Sequence, residues 1–274
     1  SWRTRPVINT RHNMGASDPH DRREQLFRLS VARTARVAMV SPQVSLRFVA
    51  NRIVPAAKAT VVMNGIPVRR YVPAEVATRA AARALLGLEA GAFVVGTVGR
   101  LVPVKNHALL LQAVAPICRA HPDARVVLIG SGELQSELCA LADSLGIARS
   151  LYLSGERAGI ARVLPAFDVF AMPSRSEGHS IALLEAAATG LAIIATAVGG
   201  NPEIGDHGVT GLLVPSDDVG ALSGALQSLR ADEPRRLVLG TRAREWFIRE
   251  VSVETMAAKY ERIYRDELAR RSDG

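Results

Sequence analysis

The sequence predicts an α/β fold of parallel strands covered by helices on both faces, and three observations carry that prediction. Between about residues 92 and 230, short β-branched runs alternate with helical patterns, the order expected of strand, crossover helix and next parallel strand. The chain has 274 residues, 48% of them apolar and 22% charged, which is enough to bury a large core and too apolar for intrinsic disorder. Residues 1–65 carry the same alternation on a smaller scale, like the tail of a second α/β unit.

Taken in order, Pro6 to Thr10 reads as a strand, Arg23 to Ala35 as a helix, Val37 to Val40 as a strand, Val44 to Val49 as a short helix and Thr60 to Val62 as a strand. Asn64 to Pro73 follows as a hinge, opened by the turn pair Asn64-Gly65. The larger unit then runs from strand Phe93 to Val98 into helix His107 to Ala120, and from strand Arg125 to Ile129 into helix Leu134 to Leu145. Ser150 to Leu153, Val169 to Met172 and Ala192 to Thr196 read as further buried strands, with helices near Ile181 to Ala188 and Val219 to Leu229. Glu254 to Leu268 is a helix with Met256, Tyr260 and Ile263 on one stripe, suited to pack on another element. The expected division is 1–65, 66–250 and 251–274, with the last helix packing back on the first unit. Because the chain starts at Ser1 almost directly in a strand, the first unit is expected to be incomplete.

The longest apolar run, Ile181 to Gly200, is interrupted by Glu185 and Gly190, so a membrane span is not expected. No signal peptide is recognisable. Cys118 and Cys139 fall in helical segments outside any CxxC or Cys/His cluster, which argues against a disulfide framework or a zinc site and for a reducing, cytoplasmic setting. The net charge of +8 is uneven: residues 1–70 hold 13 Lys or Arg against the three acids Asp18, Asp21 and Glu24. Such an excess faces something anionic, be it nucleic acid, an anionic membrane surface or a phosphorylated substrate. Aromatic residues make up 4%, too few for base-stacking platforms, and nucleic acid is not an expected partner.

Ligands of parallel sheets bind at the carboxyl ends of the strands, so the loops there are where chemistry is expected. Strand Phe93 to Val98 runs into Gly99-Arg100-Leu101 and, a short loop later, Lys105. Arg100 and Lys105 could converge there beside a helix start and hold a diphosphate, or be two solvated cations. Gly130-Ser131-Gly132 follows the next strand, but the third glycine of a GxGxxG fingerprint is Gln135, which disfavours an NAD site. Gly130 and Gly132 can let backbone pass near a ribose or base, or form a plain tight turn. In the stretch Pro173 to Ala186, Glu177 falls in a loop and Glu185 about a turn and a half into an otherwise apolar helix. Carboxylates suit paired sugar hydroxyls, and Gly178, His179 and Ser180 bring backbone N–H groups to a helix start, where negative charge is favoured. The alternative makes Glu185 a buried ion-pair partner and Glu177 a cap.

The spacing of Glu177 and Glu185, with Ala186 to Gly190, then Val198-Gly199-Gly200-Asn201-Pro202-Glu203-Ile204 and Gly208-Val209-Thr210-Gly211-Leu212-Leu213-Val214, resembles the donor-site signature of GT4-type retaining glycosyltransferases. Asn64-Gly65-Ile66 and Gly99-Arg100-Leu101 with Lys105 match that family in the same order. The resemblance implies the GT-B fold: two Rossmann-like domains across a cleft, the N-terminal one here lacking roughly its first hundred residues. It implies a donor site in which Arg100 and Lys105 hold the diphosphate, Glu185 the ribose, and Glu177 the transferred sugar. The N–H groups near Ser180 and Ile181 would then contact the phosphate or sugar, with Gly178 and His179 beside them as further donor-binding candidates. Asn9 to Asn13 is similar to the segment carrying the family's histidine near the reacting carbon, which makes His12 a catalytic candidate beside Glu177, Arg100 and Lys105. His179 departs from the pattern, which usually has an apolar or aromatic residue there.

The implied activity is transfer of a hexosyl group from a nucleoside diphosphate sugar to an acceptor hydroxyl with retention, in the synthesis of cell-envelope glycans or glycolipids. The expected partners are the nucleotide sugar, an acceptor sugar or lipid-linked glycan, and peripherally an anionic membrane at the inner face. No cofactor or metal is expected, since there is no Asp-x-Asp motif and Asp217-Asp218 opens a late helix as a cap. Two other classes stay open: an inactive sugar-nucleotide-binding fragment, and a basic membrane-surface or nucleic-acid binder, the latter leaving the two glutamates without a role.

Overall fold

The computed structural model describes residues 5–12, 15, 21–204 and 206–272. A parallel sheet of three strands comes first, with β1 (Ile8–Arg11), helix α1 (Arg22–Val31), β2 (Arg36–Met39), α2 (Pro42–Ala50) and β3 (Ala59–Val61) following in chain order and the strands lying in the order β1-β2-β3. Asp21 starts α1 by accepting from Arg23 N at 2.8 Å. Ser41 starts α2 by accepting from Val44 N at 3.1 Å, with Pro42 at the first helical position, where its missing N–H costs nothing. Val37, Met39, Val44 and Phe48 close a small core between strand and helices.

Helix α3 (Val76–Leu86) leads into a second sheet, built from β4 (Phe93–Val98), α4 (His107–Ala120), β5 (Ala124–Ile129), α5 (Gln135–Ser144), β6 (Leu151–Gly155), β7 (Val169–Met172), α6 (Ile181–Thr189), β8 (Ala192–Thr196), α7 (Asn201–Ile204), β9 (Leu212–Val214) and α8 (Val219–Ala231). Its six strands are all parallel, in the order β6-β5-β4-β7-β8-β9. The chain therefore builds outward from β4 to β6 and then returns to the other side of β4. The strand order reverses between β4 and β7, and a crevice opens where their carboxyl-end loops diverge. Alternate residues of each strand feed separate cores: Val126 and Leu128 pack under α4 and α8, Val127 and Ile129 under the opposite helices.

Two further helices complete the described chain, α9 (Glu233–Glu250) and α10 (Val253–Ser272). Where they meet, Val253 N donates to Ile66 O at 3.2 Å, beside the hinge. Helix α10 then reaches the first sheet, with Tyr260 Oη 2.9 Å from Thr10 Oγ1 and Glu267 accepting from Arg36 Nε at 2.6 Å.

The strands follow the sequence expectation closely, because buried parallel strands read as continuous apolar runs. Four elements go beyond it, among them the four-residue helix α7. Helix α3 reads VATRAAARALL, alanine with arginine, and buries Ala82, Arg83 and Leu86, while α9 is charged on most of its surface and buries only Leu239, Gly240, Ala243 and Phe247. Strand β9 spans three residues, too short for periodicity to register.

The amino-terminal edge of the large sheet is fixed by Asp168. Its carboxylate accepts from Val94 N and from Arg83 Nη2, each at 2.8 Å, and also pairs with Arg79. Arg83 is buried, so removing the carboxylate strands a cation. Asp168→Ala is expected to cost about 3–5 kcal/mol in urea unfolding, and adding Arg83→Met should recover part of that loss. Equal stability of Asp168→Ala and the parent chain would show that the edge is held by packing alone.

Candidate active site

A cavity of about 860 Å³ opens where the topology places the crevice, between the carboxyl ends of β4 and β7 and the end of β1. The large sheet supplies Arg100 and Lys105 after β4, Glu177 to Ser180 after β7, and Ile181, Ala182 and Glu185 from the start of α6. The small sheet supplies Arg11, His12 and Gly15, with Asp21, Arg23 and Glu24 at the head of α1. Asn13, in the segment that suggested His12, lies outside the described residues.

Glu177 is the best-anchored group in the cavity. It is 9% exposed, and its Oε1 accepts from Lys105 Nζ at 2.5 Å and from Ser174 Oγ at 2.6 Å. Ser174 is itself buried, and its carbonyl takes Thr196 Oγ1 at 2.5 Å. The carboxylate is thus fixed by one cation and one buried hydroxyl, and the cation comes from the opposite side of the switch point. Arg100 is exposed and, among the described residues, has no carboxylate partner, which leaves its guanidinium able to take an anion in bidentate fashion.

Glu185 lies further along the same wall. Its Oε1 accepts from Tyr71 Oη at 2.6 Å. Burial raises the Glu185 carboxyl above its ordinary range and the Tyr71 bond partly offsets this; burial, reinforced by Glu185, likewise pushes the Tyr71 phenol up. Between the two glutamates, Ser180 caps α6 by accepting from Leu183 N at 3.4 Å. The first-turn amides of Ile181 and Ala182 therefore begin a helix at the cavity wall, where intrahelical acceptors are lacking.

His179 is 5% exposed, and among the described residues neither ring nitrogen has a hydrogen-bond partner. Burial lowers its pKa to about 4, so at neutral pH the imidazole is uncharged and can both donate and accept. His12 is exposed on the opposite wall.

The structure brings Arg100, Lys105, Glu177, Gly178, His179, Ser180, Ile181, Glu185 and His12 to one cavity. It places Gly130 and Gly132 one row back: a Cβ on Gly130 would lie 2.0 Å from Gly99 O, and one on Gly132 2.3 Å from Leu101 O. These glycines let the β5 loop press against the β4 loop that carries Arg100. Three residues of consequence escaped the sequence reading. Tyr71 lies in the hinge segment, Ser174 inside the quoted stretch after β7, and Arg11 beside His12. Arg11 stacks on Phe27 and Phe48, 4.6 and 4.9 Å from their ring centres, and pairs with Glu24 at 2.5 Å. A charged residue at a strand's carboxyl end was the available signal for Arg11. Among the described residues no cluster of three His, Cys, Asp or Glu could hold a metal ion.

Comparison with known proteins places the chain in a family. The family described as glycosyl transferases group 1 matches residues 79–246. A GDP-mannose-dependent monoacylated alpha-(1-6)-phosphatidylinositol monomannoside mannosyltransferase of Corynebacterium glutamicum is 34% identical over 213 residues, covering 74% of this chain and 55% of the relative. A D-inositol 3-phosphate glycosyltransferase of a Mycobacterium species is 40% identical over 181 residues, 64% of this chain and 40% of the relative. The chain thus spans about half the length of the curated relatives it matches. Among solved structures, Anabaena HepE in complex with UDP superposes with a TM-score of 0.87 over 96% of this chain and 72% of that one, at 23% identity. A sucrose-phosphate synthase of Thermosynechococcus elongatus superposes with a TM-score of 0.82 over 96% and 68%, at 27% identity.

Proposed function

The chain belongs to the glycosyl transferases group 1 family, with a GT-B fold, and from that premise we propose that it takes part in transfer of a hexosyl group from a nucleoside diphosphate sugar to an acceptor hydroxyl. The observation that carries this reading is the cavity at the switch point, where Glu177 and Glu185 flank the start of α6 opposite Arg100 and Lys105. A diphosphate needs cations and helix-start amides, a ribose or hexose needs acceptors for adjacent hydroxyls, and both sets line this one cavity. Because the relative from Corynebacterium glutamicum is named as a GDP-mannose-dependent mannosyltransferase, GDP-mannose is the first donor to test. The same name makes a phosphatidylinositol-type glycolipid the first acceptor class.

In this reading Arg100 and Lys105 take the diphosphate, Glu185 the ribose and Glu177 the transferred sugar. Lys105 must then leave Glu177 for the phosphate. The bond from the anomeric carbon to the phosphate oxygen breaks and that from the carbon to the acceptor oxygen forms on the same face, with retention. The acceptor proton passes to the departing phosphate oxygen. Arg100, Lys105 and the Ile181 and Ala182 amides meet the charge that develops there, and no metal enters the step. His12, on the facing wall, would act on the sugar near the reacting carbon.

A peripheral membrane contact also belongs to this proposal. Among the described residues no helix is long and apolar enough to cross a membrane. Helix α1 exposes Leu26 (58%) and Leu29 (72%) next to exposed Arg22, Arg23 and Arg28, a face suited to an anionic surface at the cytoplasmic side.

Two outcomes are expected. By calorimetry with GDP and UDP, Glu185→Ala and Arg100→Ala should each weaken the preferred nucleotide by about 1.5–3 kcal/mol, roughly ten- to a hundredfold; unchanged affinity in both would refute the donor site. In vesicle sedimentation the chain should pellet with anionic vesicles at low salt and be released at high salt, and equal binding to neutral vesicles would contradict the electrostatic contact.

A further inference from the structure

Glu203 lies outside the cavity, yet it touches both sheets. It belongs to the short helix α7 after β8, and its Oε1 accepts from Gln43 N at 2.9 Å, at the head of α2 in the small sheet. The Ser41 hydroxyl stands beside the same carboxyl. Among the described residues no charged side chain acts on it: burial lifts its pKa to about 7, and the Gln43 and Ser41 bonds partly offset that rise. Its second oxygen is buried and has no partner among the described residues. A half-buried carboxylate held by a helix start from another sheet serves as a connector.

The turn before Glu203 is pressed against the loop that presents Glu177. Gly199 has φ +51°, and a Cβ there would lie 1.7 Å from Glu177 O; on Gly200 it would lie 2.0 Å from Gly178 O and 3.3 Å from Ser41 Cβ. Gly200 N donates to Glu177 O at 3.3 Å. A second path runs through buried side chains: Asn201 Nδ2 donates to Thr196 O at 3.0 Å, Thr196 Oγ1 to Ser174 O at 2.5 Å, and Ser174 Oγ to the Glu177 carboxylate at 2.6 Å. Thus one segment contacts α2 on one side and both the backbone and the carboxylate support of Glu177 on the other.

We propose that Glu203 is a positioning residue: through the Gly199–Glu203 turn it ties the head of α2 to the loop carrying Glu177, so that the two sheets are set in register where the sugar of the donor is held. The role assigned to that sugar rests on the donor-site reading above; the mechanical link does not. Loss of the carboxylate frees α2 from the turn and loosens the Glu177 loop, while Arg100 and the Glu185 wall keep their own supports. Glutamine keeps an oxygen for the Gln43 amide and should substitute.

The test compares the parent chain with Glu203→Ala and Glu203→Gln. In hydrogen exchange, Glu203→Ala is expected to speed exchange at residues 41–45 and at 177–181 at least tenfold, with β4 and β5 unchanged, and Glu203→Gln to behave as the parent. Faster exchange at 41–45 alone overturns the link. In calorimetry, Glu203→Ala should lower the preference for GDP-mannose over GDP three- to tenfold while the GDP affinity stays within twofold, a split that general destabilisation would not give. Equal loss for both ligands overturns the positioning role. Should the parent chain bind neither GDP-mannose nor GDP, the choice of GDP-mannose as donor falls, the same comparison is made with UDP-glucose and UDP, and the exchange pattern still decides the link; binding of none of the four overturns the donor-site reading.

Discussion

The site depends on backbone meeting backbone at the carboxyl edge of the large sheet. Parallel strands deliver their loops to one edge, but loops carry no ladder of their own and must be held by something else. Here the β5 loop lies on the β4 loop through Gly130 and Gly132, and the β8 loop lies on the β7 loop through Gly199 and Gly200, at distances no side chain would permit. The loop bearing Arg100 and the loop bearing Glu177 are each braced by a neighbour, and Lys105 bridges them at 2.5 Å. An alanine at any of these contacts would force main chain apart, not merely crowd a side chain.

On that frame the two glutamates are held differently. Glu177 has a cation and a buried hydroxyl. Among the described residues Glu185 has only the Tyr71 phenol, in an environment that disfavours its charge. Both are paired within the protein, so a donor must offer at least what it displaces: phosphate for Lys105, and hydroxyls for the carboxylates. Binding of this kind is an exchange of partners in a partly dry site, where an unmade bond costs more than a made one contributes. Under the proposed function, that requirement selects a diphosphate joined to a polyol.

Much of this was legible in the sequence, for a physical reason in each case. Phe93–Val98, Val169–Met172 and Ala192–Thr196 read as strands because both their faces are buried. Glu185 stood out because a carboxylate in an apolar helix has to be answered by something. Its partner was not legible: Tyr71 is 114 residues away and meets it only because the hinge folds under α6. The glycines after β5 announced a close approach, but not what approached; the neighbour is protein backbone at Gly99 and Leu101. Glu203 looked like part of a signature, and its contact with Gln43 spans 160 residues of chain, a distance over which no local pattern carries information.

The exchange of partners at Glu177 is the core of the account. A crystal structure of this chain with GDP-mannose, or with the nucleotide sugar it binds most tightly, measures it directly. The expected result has Lys105 Nζ on the diphosphate, Glu177 accepting from hydroxyls of the sugar while keeping Ser174, and Glu185 on the ribose. A bound nucleotide sugar that leaves the Lys105–Glu177 pair intact, or that lies away from the start of α6, would contradict it.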